Sequence, residues 1–229
     1  MQLSIIYQDE DLIAINKPHG LLVHRSPIAA DATEFAVQLL RDQVGQKVYP
    51  IHRLDRKTSG VLLFATSKEV NAEISSLFQN NEVSKTYEAI VRGWTEDVGT
   101  IDYALTNEGK TKEAITHFRK IAALEIDWVQ GKFKTARYSH LEIQPQNGRF
   151  HQIRKHLKHI FHPIIGDRPH GCNKQNKLWK EKAGLTTMML HALNINFRRK
   201  NGQVLNLFAP RSVDFDKTLN LLSKRDRMG

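Results

Sequence analysis

The sequence contains a single cysteine, Cys172, among its 229 residues. One cysteine excludes a disulfide within the chain and is typical of proteins that work in a reducing compartment. No apolar run approaches the roughly 18–20 residues that a membrane-spanning helix needs. The first residues, MQLSIIYQDEDL, reach acidic side chains too early for a signal peptide. We therefore expect a soluble, cytoplasmic protein that does not bind membranes.

The motifs of several common enzyme classes are also missing. The sequence has no GxGxxG, GxxxxGK[ST] or GxSxG segment, so dinucleotide-binding, P-loop and α/β-hydrolase functions have no support. The 11 histidines raise the question of a metal site, but no HExxH motif or cysteine pair accompanies them. The histidines that lie closest together in the chain, without an acidic partner nearby, are His151, His156, His159 and His162. We expect no metal ion.

Acidic residues are too few to balance the basic ones. Lys and Arg number 34 against 24 Asp and Glu, which gives a formal net charge of +10. Such an excess favours a polyanionic partner, with nucleic acid first and an anionic membrane second. Residues 149–182 hold nine basic side chains and only two acidic ones, Asp167 and Glu181. A solvated basic face would account for this, but a phosphate-binding surface accounts for it better, because charge that serves only solubility would be scattered.

Apolar periodicity predicts strands and helices in alternation, without an internal repeat or a flexible linker. We predict strands over residues 3–7, 12–15, 61–65, 84–94, 115–125, 134–144, 188–197 and 204–209. One helix is expected to start from a cap at Asp31 and to end near Gly45, and two others to follow caps at Ser67 and Ser212. Residues 95–114 are polar and contain glycine, so we expect a loop or an excursion at the edge of the fold there.

A further amphipathic helix is predicted over residues 149–161. At about 100° per residue, one side of this helix collects the apolar residues that we expect to be buried. These residues are Ile153, Leu157, Ile160 and Phe161. The opposite side carries His151, Lys155 and Lys158. Arg154 lies between the two sides, so its guanidinium can reach inward toward a carboxylate.

Residues 52–60, HRLDRKTSG, place one acidic residue, Asp55, among several cations directly before the apolar run VLLFA. Two interpretations compete. Asp55 is either a surface carboxylate paired with an arginine, which contributes roughly 0–1 kcal/mol to stability, or a catalytic carboxylate that its positive neighbours keep ionised next to a polyanion. The spacing alone does not decide between them.

The segment HRLDRKTSGVLLFA resembles the catalytic motif of the RluA-type pseudouridine synthases. The segments NKPHGLLVH, SKTYEAIV, GRFHQIRKHL and HPIIGD are similar to other motifs of that family and occur in the same order. The resemblance extends over residues 3–210 and is closest to the branch that modifies uridine 65 of transfer RNA. It implies an α+β fold, with a mixed, largely antiparallel sheet in two lobes, flanking helices and a central catalytic cleft. It also implies a single catalytic domain over residues 1–229, without a separate N-terminal RNA-binding domain.

The resemblance assigns roles to three residues. Asp55 corresponds to the catalytic carboxylate of the family, and Arg154 to an arginine that pairs with it. An arginine suits this pairing because its planar guanidinium stays charged and can bind a carboxylate through two hydrogen bonds. Tyr87 corresponds to a tyrosine that packs on the target base. From the strand pattern alone, a core aromatic is the commoner fate of such a tyrosine, whereas base stacking would supply roughly 1–3 kcal/mol.

A second group of residues is expected to contact RNA. Lys17 lies in the segment that the family places against the cleft, while Arg53 and Arg56 flank the predicted catalytic carboxylate. The predicted RNA-binding residues are Lys17, Arg53, Arg56, Arg149, His151, Lys155 and Lys158. Phosphate contacts of this kind set the register of an RNA, while the shape of an RNA loop selects the site.

The reaction that the resemblance implies is the isomerisation of uridine to pseudouridine in RNA, and in transfer RNA first. The glycosidic bond breaks, the uracil turns in place and C5 joins C1′, so no cofactor is required. Asp55 can stabilise positive charge on the sugar, add to the sugar or remove a sugar proton, and the sequence leaves these three roles open. The target uridine must leave its stack, and Tyr87 would receive it.

Two alternatives to this function stay open. A uridine of ribosomal RNA is the nearest competing target, and a non-catalytic RNA-binding protein on the same scaffold is the other. We expect a monomer, although the sequence does not determine the oligomeric state. Cys172 occupies a position where the transfer-RNA branch usually carries aspartate, which weakens the assignment to that branch more than it weakens the chemistry.

Overall fold

The computed structural model describes residues 1–25 and 33–223. The chain divides into two compact units, each assembled from two separate segments. The first unit contains Met1–Lys85 and His191–Pro210, and the second contains Thr86–Leu190 and the chain from Arg211 onward. That the whole chain forms a single catalytic domain stays a prediction.

Strands and helices alternate along the described residues. The strands are β1 (Ser4–Gln8), β2 (Leu12–Lys17), β3 (Tyr49–Pro50), β4 (Ser59–Ala65), β5 (Ser84–Arg92), β6 (Val98–Asp102), β7 (Leu105–Asn107), β8 (Lys110–Lys112), β9 (Ile115–Ile126), β10 (Ala136–Pro145), β11 (Leu190–Arg198) and β12 (Val204–Phe208). The helices are α1 (Ala36–Val44), α2 (Lys68–Gln79), α3 (Gln152–His159), α4 (Asn173–Ala183) and α5 (Val213–Leu222). Within the described ranges, no helix has the length and apolar character that crossing a membrane requires.

The strands of the first unit are organised around β4, whose seven residues are all buried. β2 and β3 pair with β4 in antiparallel fashion, and β1 pairs antiparallel with β2. β11 runs parallel to β4, with His191 opposite Ser59, and β12 pairs antiparallel with β11. The unbroken apolar run VLLFA is typical of such a central strand, because both of its faces are covered.

The second unit contains four antiparallel strands in the order β5, β10, β9 and β6. Its core includes Tyr138 from β10, Trp179 from α4 and Phe215 from α5. β7 and β8 form a separate two-stranded hairpin. Apart from the parallel pair of β4 and β11, the strands within each unit pair antiparallel, and helices flank them. The predicted α+β fold with a mixed, largely antiparallel sheet is therefore confirmed.

Two predicted helix caps are confirmed. The side chain of Ser67 accepts a hydrogen bond from the N–H of Val70 (3.2 Å) at the start of α2. The side chain of Ser212 accepts one from the N–H of Phe215 (3.3 Å) at the start of α5. Each cap satisfies an N–H group that has no partner inside its own helix.

The first helix, α1, agrees with its prediction at one end. Its last residue is Val44, and it is capped by Gly45, whose φ of 69° is the left-handed conformation that favours glycine. The residue before its first turn is Phe35, whose side chain makes no capping hydrogen bond. The predicted cap, Asp31, lies outside the described residues.

The helix predicted over residues 149–161 is shorter than expected, since α3 begins at Gln152 and ends at His159. Ile153 and Leu157 are buried as predicted, but Phe161 is 85% exposed, so that part of the prediction is wrong. Helical periodicity places a side chain only while the helix continues. Phe161 follows the end of α3 with a φ of 65°, which turns its side chain away from the buried side.

Two elements differ from the prediction. Residues 95–114 do lie at the edge of the sheet, but they form the strands β6, β7 and β8 and not a loop. The helix α4 was not predicted. The residues of β8 are all exposed, so its sequence carries no alternation of apolar and polar residues. Along α4 only Gln175 and Trp179 are buried, which leaves too few apolar residues to form a recognisable stripe.

Candidate active site

Asp55 lies in a turn directly before β4. Its carbonyl oxygen accepts a hydrogen bond from the N–H of Thr58 (3.0 Å), which closes the turn. The preceding Leu54 is buried, whereas Arg53 and Arg56 are exposed on either side. Asp55 itself is half-buried. The backbone around the carboxylate is therefore anchored by Leu54 and β4, while two guanidinium groups flank it at the surface.

Lys17 lies beside this turn and is completely buried. Its Nζ donates hydrogen bonds to the carbonyl oxygens of Pro18 (2.9 Å), Leu21 (2.8 Å) and Arg56 (3.2 Å). An ammonium group has three N–H donors, and these three carbonyls account for all of them. The predicted contact between Lys17 and an RNA phosphate is therefore wrong. Lys17 instead ties residues 18–21 to the turn that carries Asp55.

The electrostatics of Lys17 link it to Asp55. Burial lowers the pKa of the Lys17 ammonium to about 7, because the charged form loses its hydration, while the negative charge of Asp55 opposes this fall in pKa. The carboxylate and the ammonium therefore interact within the first unit.

A second pair of hydrogen bonds joins the same two segments. The N–H of Gly20 donates to the carbonyl oxygen of Arg56 (2.8 Å), and Nε of Arg56 donates to the carbonyl oxygen of Gly20 (3.1 Å). Gly20 has a φ of 89°, a conformation that glycine adopts more readily than other residues. Arg56 is exposed, as expected for a residue that contacts RNA. Its Nε also binds the loop that contains Gly20.

His52 supports β4 and is a neutral imidazole. Its Nε2 accepts a hydrogen bond from the N–H of Leu63 (3.2 Å), and its ring stacks on Phe78 with 4.9 Å between the ring centroids. Burial lowers the pKa of His52 to about 4. The positive charge around Asp55 therefore comes from lysine and arginine side chains and not from this histidine.

The exit from the turn is fixed by β11. Gly60 has a φ of 111°, and a Cβ atom there would lie 2.1 Å from the carbonyl oxygen of Ala192. His191 donates from Nε2 to the carbonyl oxygen of Ala209 (3.1 Å), so its Nδ1 accepts from the hydroxyl of Ser59 (2.9 Å). Only glycine fits the backbone approach at position 60, and this approach sets the direction in which β4 leaves Asp55.

Tyr87 lies on β5 in the second unit. It is half-buried and packs against the apolar core of that unit, with Ile143 as its neighbour on β10. The next residue, Glu88, points to the opposite face of the strand and is buried. Tyr87 therefore packs on the core of the second unit and keeps part of its surface accessible.

Arg154 is buried on α3 and bound to Asp167. Its Nε donates to Oδ2 of Asp167 (2.8 Å) and its Nη2 donates to Oδ1 (2.8 Å). Asp167 also accepts from the N–H of His170 (3.3 Å). Burial alone would raise the pKa of the Asp167 carboxyl, but the Arg154 guanidinium holds that pKa below its usual value. The motif HPIIGD therefore supplies the partner that orients Arg154.

The basic residues near α3 differ in whether their side chains form hydrogen bonds within the protein. Nε of Arg149 donates to the carbonyl oxygen of Glu113 (3.1 Å), and Nζ of Lys155 donates to that of Thr106 (3.3 Å). The ring of His151 shares a hydrogen bond with that of His170 (2.9 Å). Lys158 is exposed. The predicted RNA contacts of all four residues stay predictions.

Comparison with known proteins identifies the family. The model of the family described as RNA pseudouridylate synthase matches residues 11–159. The chain belongs to this family. Asp55, Tyr87 and Arg154 all lie inside the matched region of this pseudouridylate synthase, and its enzyme class, an isomerase acting on RNA, agrees with the prediction.

Curated relatives of the synthase are similar along most of their length. A tRNA pseudouridine synthase C of Vibrio vulnificus (strain CMCP6) is 46% identical over 207 residues, which cover 85% of this chain and 84% of the relative. A tRNA pseudouridine synthase C of Yersinia pestis is 43% identical over 220 residues, which cover 90% and 86%. These identities support the resemblance to the branch that modifies transfer RNA.

Solved structures agree on the fold. Human RNA Pseudouridylate Synthase Domain Containing 1 superposes with a TM-score of 0.73 at 20% identity, covering 97% of this chain and 95% of that one. Human RNA Pseudouridylate Synthase Domain Containing 4 has the same TM-score of 0.73 at 24% identity, with coverages of 96% and 92%. The pseudouridine synthase fold is therefore confirmed.

The predicted site residues of this synthase are divided between the two units. Asp55 belongs to the first unit, whereas Tyr87 and Arg154 belong to the second. The pairing of Asp55 with Arg154 and the central cleft stay predictions. Within the described residues, no three His, Cys, Asp or Glu side chains cluster closely enough to hold a metal ion.

The sequence motifs did not predict the bidentate contact of Asp167 with Arg154. A signal for this role was present. Asp167 is one of two acidic residues among the nine basic ones of residues 149–182, which is the same contrast that drew attention to Asp55. The sequence contains no comparable signal for Lys17, because it does not show whether a lysine is exposed or buried.

Proposed function

We propose that this pseudouridine synthase isomerises one uridine of transfer RNA to pseudouridine, with Asp55 as the catalytic carboxylate and uridine 65 as the target. The observation that carries the proposal is the similarity, at 46% identity over 85% of the chain, to a relative named tRNA pseudouridine synthase C. The anchored turn around Asp55 supports it, because a catalytic carboxylate must be held in a fixed position.

The proposed reaction rearranges bonds within one nucleotide. The bond between N1 of uracil and C1′ of ribose breaks, the uracil turns, and a bond forms between C5 and C1′. C5 then loses its proton and N1 gains one, so no group or electron leaves the substrate. Loss of the base builds positive character at C1′, which a fixed carboxylate stabilises or captures. Asp55 acts at C1′ or at the neighbouring sugar proton.

Tyr87 and Arg154 complete the proposed site. Tyr87 stacks on the everted uracil, which its half-buried position on β5 allows. Arg154 pairs with Asp55 while Asp167 holds it. We further propose that the enzyme acts as a monomer in the cytoplasm.

Tritium release from transfer RNA labelled at C5 of uridine tests the proposal directly. Asp55→Asn keeps the shape of the side chain and removes its charge, so turnover should fall to background while the dissociation constant for transfer RNA stays within about threefold. Asp97→Asn is the matched control, since Asp97 is an exposed carboxylate with its own ion pair to Lys120, and it should keep full turnover. Appreciable turnover by Asp55→Asn would refute the mechanism.

The identity of the target RNA needs a separate measurement. Pseudouridines in transfer and ribosomal RNA should be mapped in cells with and without the gene. Loss of a single transfer-RNA pseudouridine, at position 65, is the expected result. Loss of a ribosomal position instead would replace the proposed substrate, and tight RNA binding with no lost pseudouridine would favour a non-catalytic RNA-binding protein.

A further inference from the structure

One strongly basic surface is not used by the proposed mechanism. It lies on α4 and the turn before it, and we call it the α4 basic surface. Its members are Arg168, Lys174, Lys177, Lys180 and Lys182, all of them exposed. The one acidic residue of α4 is Glu181, whose carboxylate lies 3.8 Å from Nζ of Lys177. The 11-residue helix α4 therefore carries four lysines and only one acidic residue.

This arrangement costs helix stability. Lys174, Lys177 and Lys180 follow one another at intervals of three residues, and like charges at this spacing repel each other on a helix surface. The helix also buries little apolar surface of its own. Solubility alone does not require charges of one sign to be stacked in this way, whereas binding of a polyanion does.

The surface includes a concave site. A cavity of about 280 Å³ lies along α4 and is lined by three basic side chains, Arg168, Lys177 and Lys180. The amide side chains of Asn173 and Asn176 line it as well, and no carboxylate side chain does. Cationic groups arranged around a recess without an opposing carboxylate suit a phosphate group of a nucleic acid.

The inner side of α4 is held firmly. Trp179 is buried and packs edge-on against Trp128 and Tyr138, with ring centroids 4.8 and 5.3 Å apart. The hydroxyl of Tyr138 donates to the side-chain oxygen of Gln175 (2.7 Å). Because these contacts fix the buried side of the helix, the lysines on its outer side project from a rigid support.

The same helix is joined to the turn that orients Arg154. Nδ2 of Asn176 donates to the carbonyl oxygen of Asp167 (2.7 Å), and Oδ1 of Asn176 accepts from the N–H of Gly166 (2.9 Å). A Cβ atom on Gly171 would lie 1.7 Å from the carbonyl oxygen of Asp167, so the turn is also closely packed against itself. A phosphate bound along α4 would therefore lie in fixed register with Arg154.

We propose that the α4 basic surface binds the phosphate backbone of the RNA substrate, with Arg168, Lys177 and Lys180 each neutralising a phosphate. The inference rests on the proposed function, since it takes RNA as the substrate. These contacts position the RNA and carry no sequence information, because every nucleotide presents the same phosphate. They add to the affinity for RNA without taking part in the reaction at the uridine.

The test replaces the three cavity cations together, in the variant Arg168→Gln/Lys177→Gln/Lys180→Gln. Its matched control is Lys47→Gln/Lys68→Gln/Lys200→Gln, which removes the same charge from three exposed positions of the first unit. Affinity for a transfer RNA transcript is measured from low to high salt, and kcat and KM by tritium release. Circular dichroism of both variants checks that they fold.

Removing one cation that neutralises an RNA phosphate should reduce the slope of log Kd against log salt concentration by about 0.7–0.9. The slope of the cavity variant should therefore be smaller by about two units, with Kd and KM raised at least about tenfold near 0.15 M salt. Its kcat at saturating RNA should stay within about twofold of the unmodified chain. The control should change Kd by less than about threefold.

The possible results distinguish a failure of this inference from a failure of the proposed function. If the cavity variant binds RNA with the affinity and salt slope of the unmodified chain, or matches the control, the inference is wrong while isomerisation by the unmodified chain still stands. A fall in kcat with an unchanged Kd would also refute the inference. If the unmodified chain isomerises no RNA, the proposed function fails first. Should the triple variant misfold, Lys177→Gln and Lys180→Gln separately should each lower the salt slope by about 0.7–0.9.

Discussion

At the scale of single residues, Lys17 shows how a basic side chain next to the turn of Asp55 can stabilise the protein without contacting a ligand. Its ammonium group binds the carbonyl oxygens of Pro18, Leu21 and Arg56 in the interior. Water cannot replace these bonds where the side chain is completely buried. The loop and the turn therefore depend on one side chain for their mutual position.

Replacing this side chain should destabilise the protein. Lys17→Met keeps most of the side-chain volume but removes the donor to the carbonyl oxygens of Pro18 and Leu21, whereas that of Arg56 keeps the N–H of Gly20. Each buried unsatisfied group costs roughly 1–3 kcal/mol. We expect the free energy of unfolding, measured with urea, to fall by about 2–4 kcal/mol, with a parallel loss of turnover. Lys68→Met, at an exposed position on α2, should change it by less than about 0.5 kcal/mol. Equal effects of the two variants would contradict the proposed role of Lys17.

The sequence made some residues of the site predictable and others not. Asp55 and Tyr87 lie in short motifs with a distinctive order, so the resemblance assigns them roles, and these roles stay predictions. Lys17 has the same kind of motif, yet its predicted phosphate contact is wrong. A motif records which residue is present, whereas burial and hydrogen-bond partners depend on chain segments that the motif does not contain.

At the scale of secondary-structure elements, the close approach of β4 and β11 is the tightest constraint on the turn of Asp55. Gly60→Ala should disturb this pair strongly, because the added Cβ would lie 2.1 Å from the carbonyl oxygen of Ala192 and the φ of 111° is unfavourable for alanine. We expect a loss of more than about 3 kcal/mol in the free energy of unfolding, since overpacking and backbone strain add to each other.

Gly45→Ala is the control for Gly60→Ala. Gly45 also has a positive φ, 69°, but nothing lies within 4 Å of an added Cβ there. Its replacement should cost only about 1–2 kcal/mol from backbone strain. The melting temperature of each variant provides the comparison, and equal losses would mean that contact with Ala192 is unimportant.

Elements with a strong apolar pattern were predictable, and elements held by other means were not. All seven residues of β4 are buried, and the strand predicted over residues 61–65 lies close to its observed bounds. α2 follows its predicted cap, Ser67, and buries Ile74 and Leu77 on one side. α4 buries Trp179 and Gln175 and is joined to the preceding turn by Asn176, so hydrogen bonds and one large side chain replace the usual apolar stripe. Such contacts leave no periodic signal in the sequence.

At the scale of the whole molecule, stability at low pH should depend on Glu88. This buried carboxylate binds the guanidinium of Arg211, with 2.8 Å between Nη2 and Oε1, and lies 3.3 Å from Nε2 of His140. Burial alone would raise the pKa of Glu88, but Arg211 and His140 hold that pKa at about 2. A carboxyl with a lowered pKa stabilises the folded state above its ordinary pKa, and this stabilisation is lost as the pH falls toward the lowered value.

Acid unfolding measures this contribution. Between pH 4.5 and pH 2, the unmodified chain should lose up to about 3 kcal/mol through protonation of Glu88. Glu88→Gln should be less stable at pH 7 and should show a flatter decline over the same interval. Glu96→Gln, at an exposed position of the same unit, should follow the unmodified chain. Identical slopes for Glu88→Gln and the unmodified chain would refute the assignment.

The fold class was predictable because the local patterns and the family motifs agree with each other. The sequence did not predict which segments make up each unit, since each unit combines segments that are far apart in the chain. The pairing of Ser59 with His191 spans 132 residues. A strand sequence indicates that it needs neighbours but does not say which strands they are.

The interleaving of the two units has a consequence for synthesis on the ribosome. When residues 1–85 emerge from the exit tunnel, the strand that must lie against Gly60 has not yet been translated. The second unit likewise lacks Arg211, the partner of Glu88, until after His191–Pro210 has appeared. Neither unit can therefore complete its native contacts early in translation. The nascent polypeptide should stay susceptible to proteases, and dependent on chaperones, until almost all of it has been made.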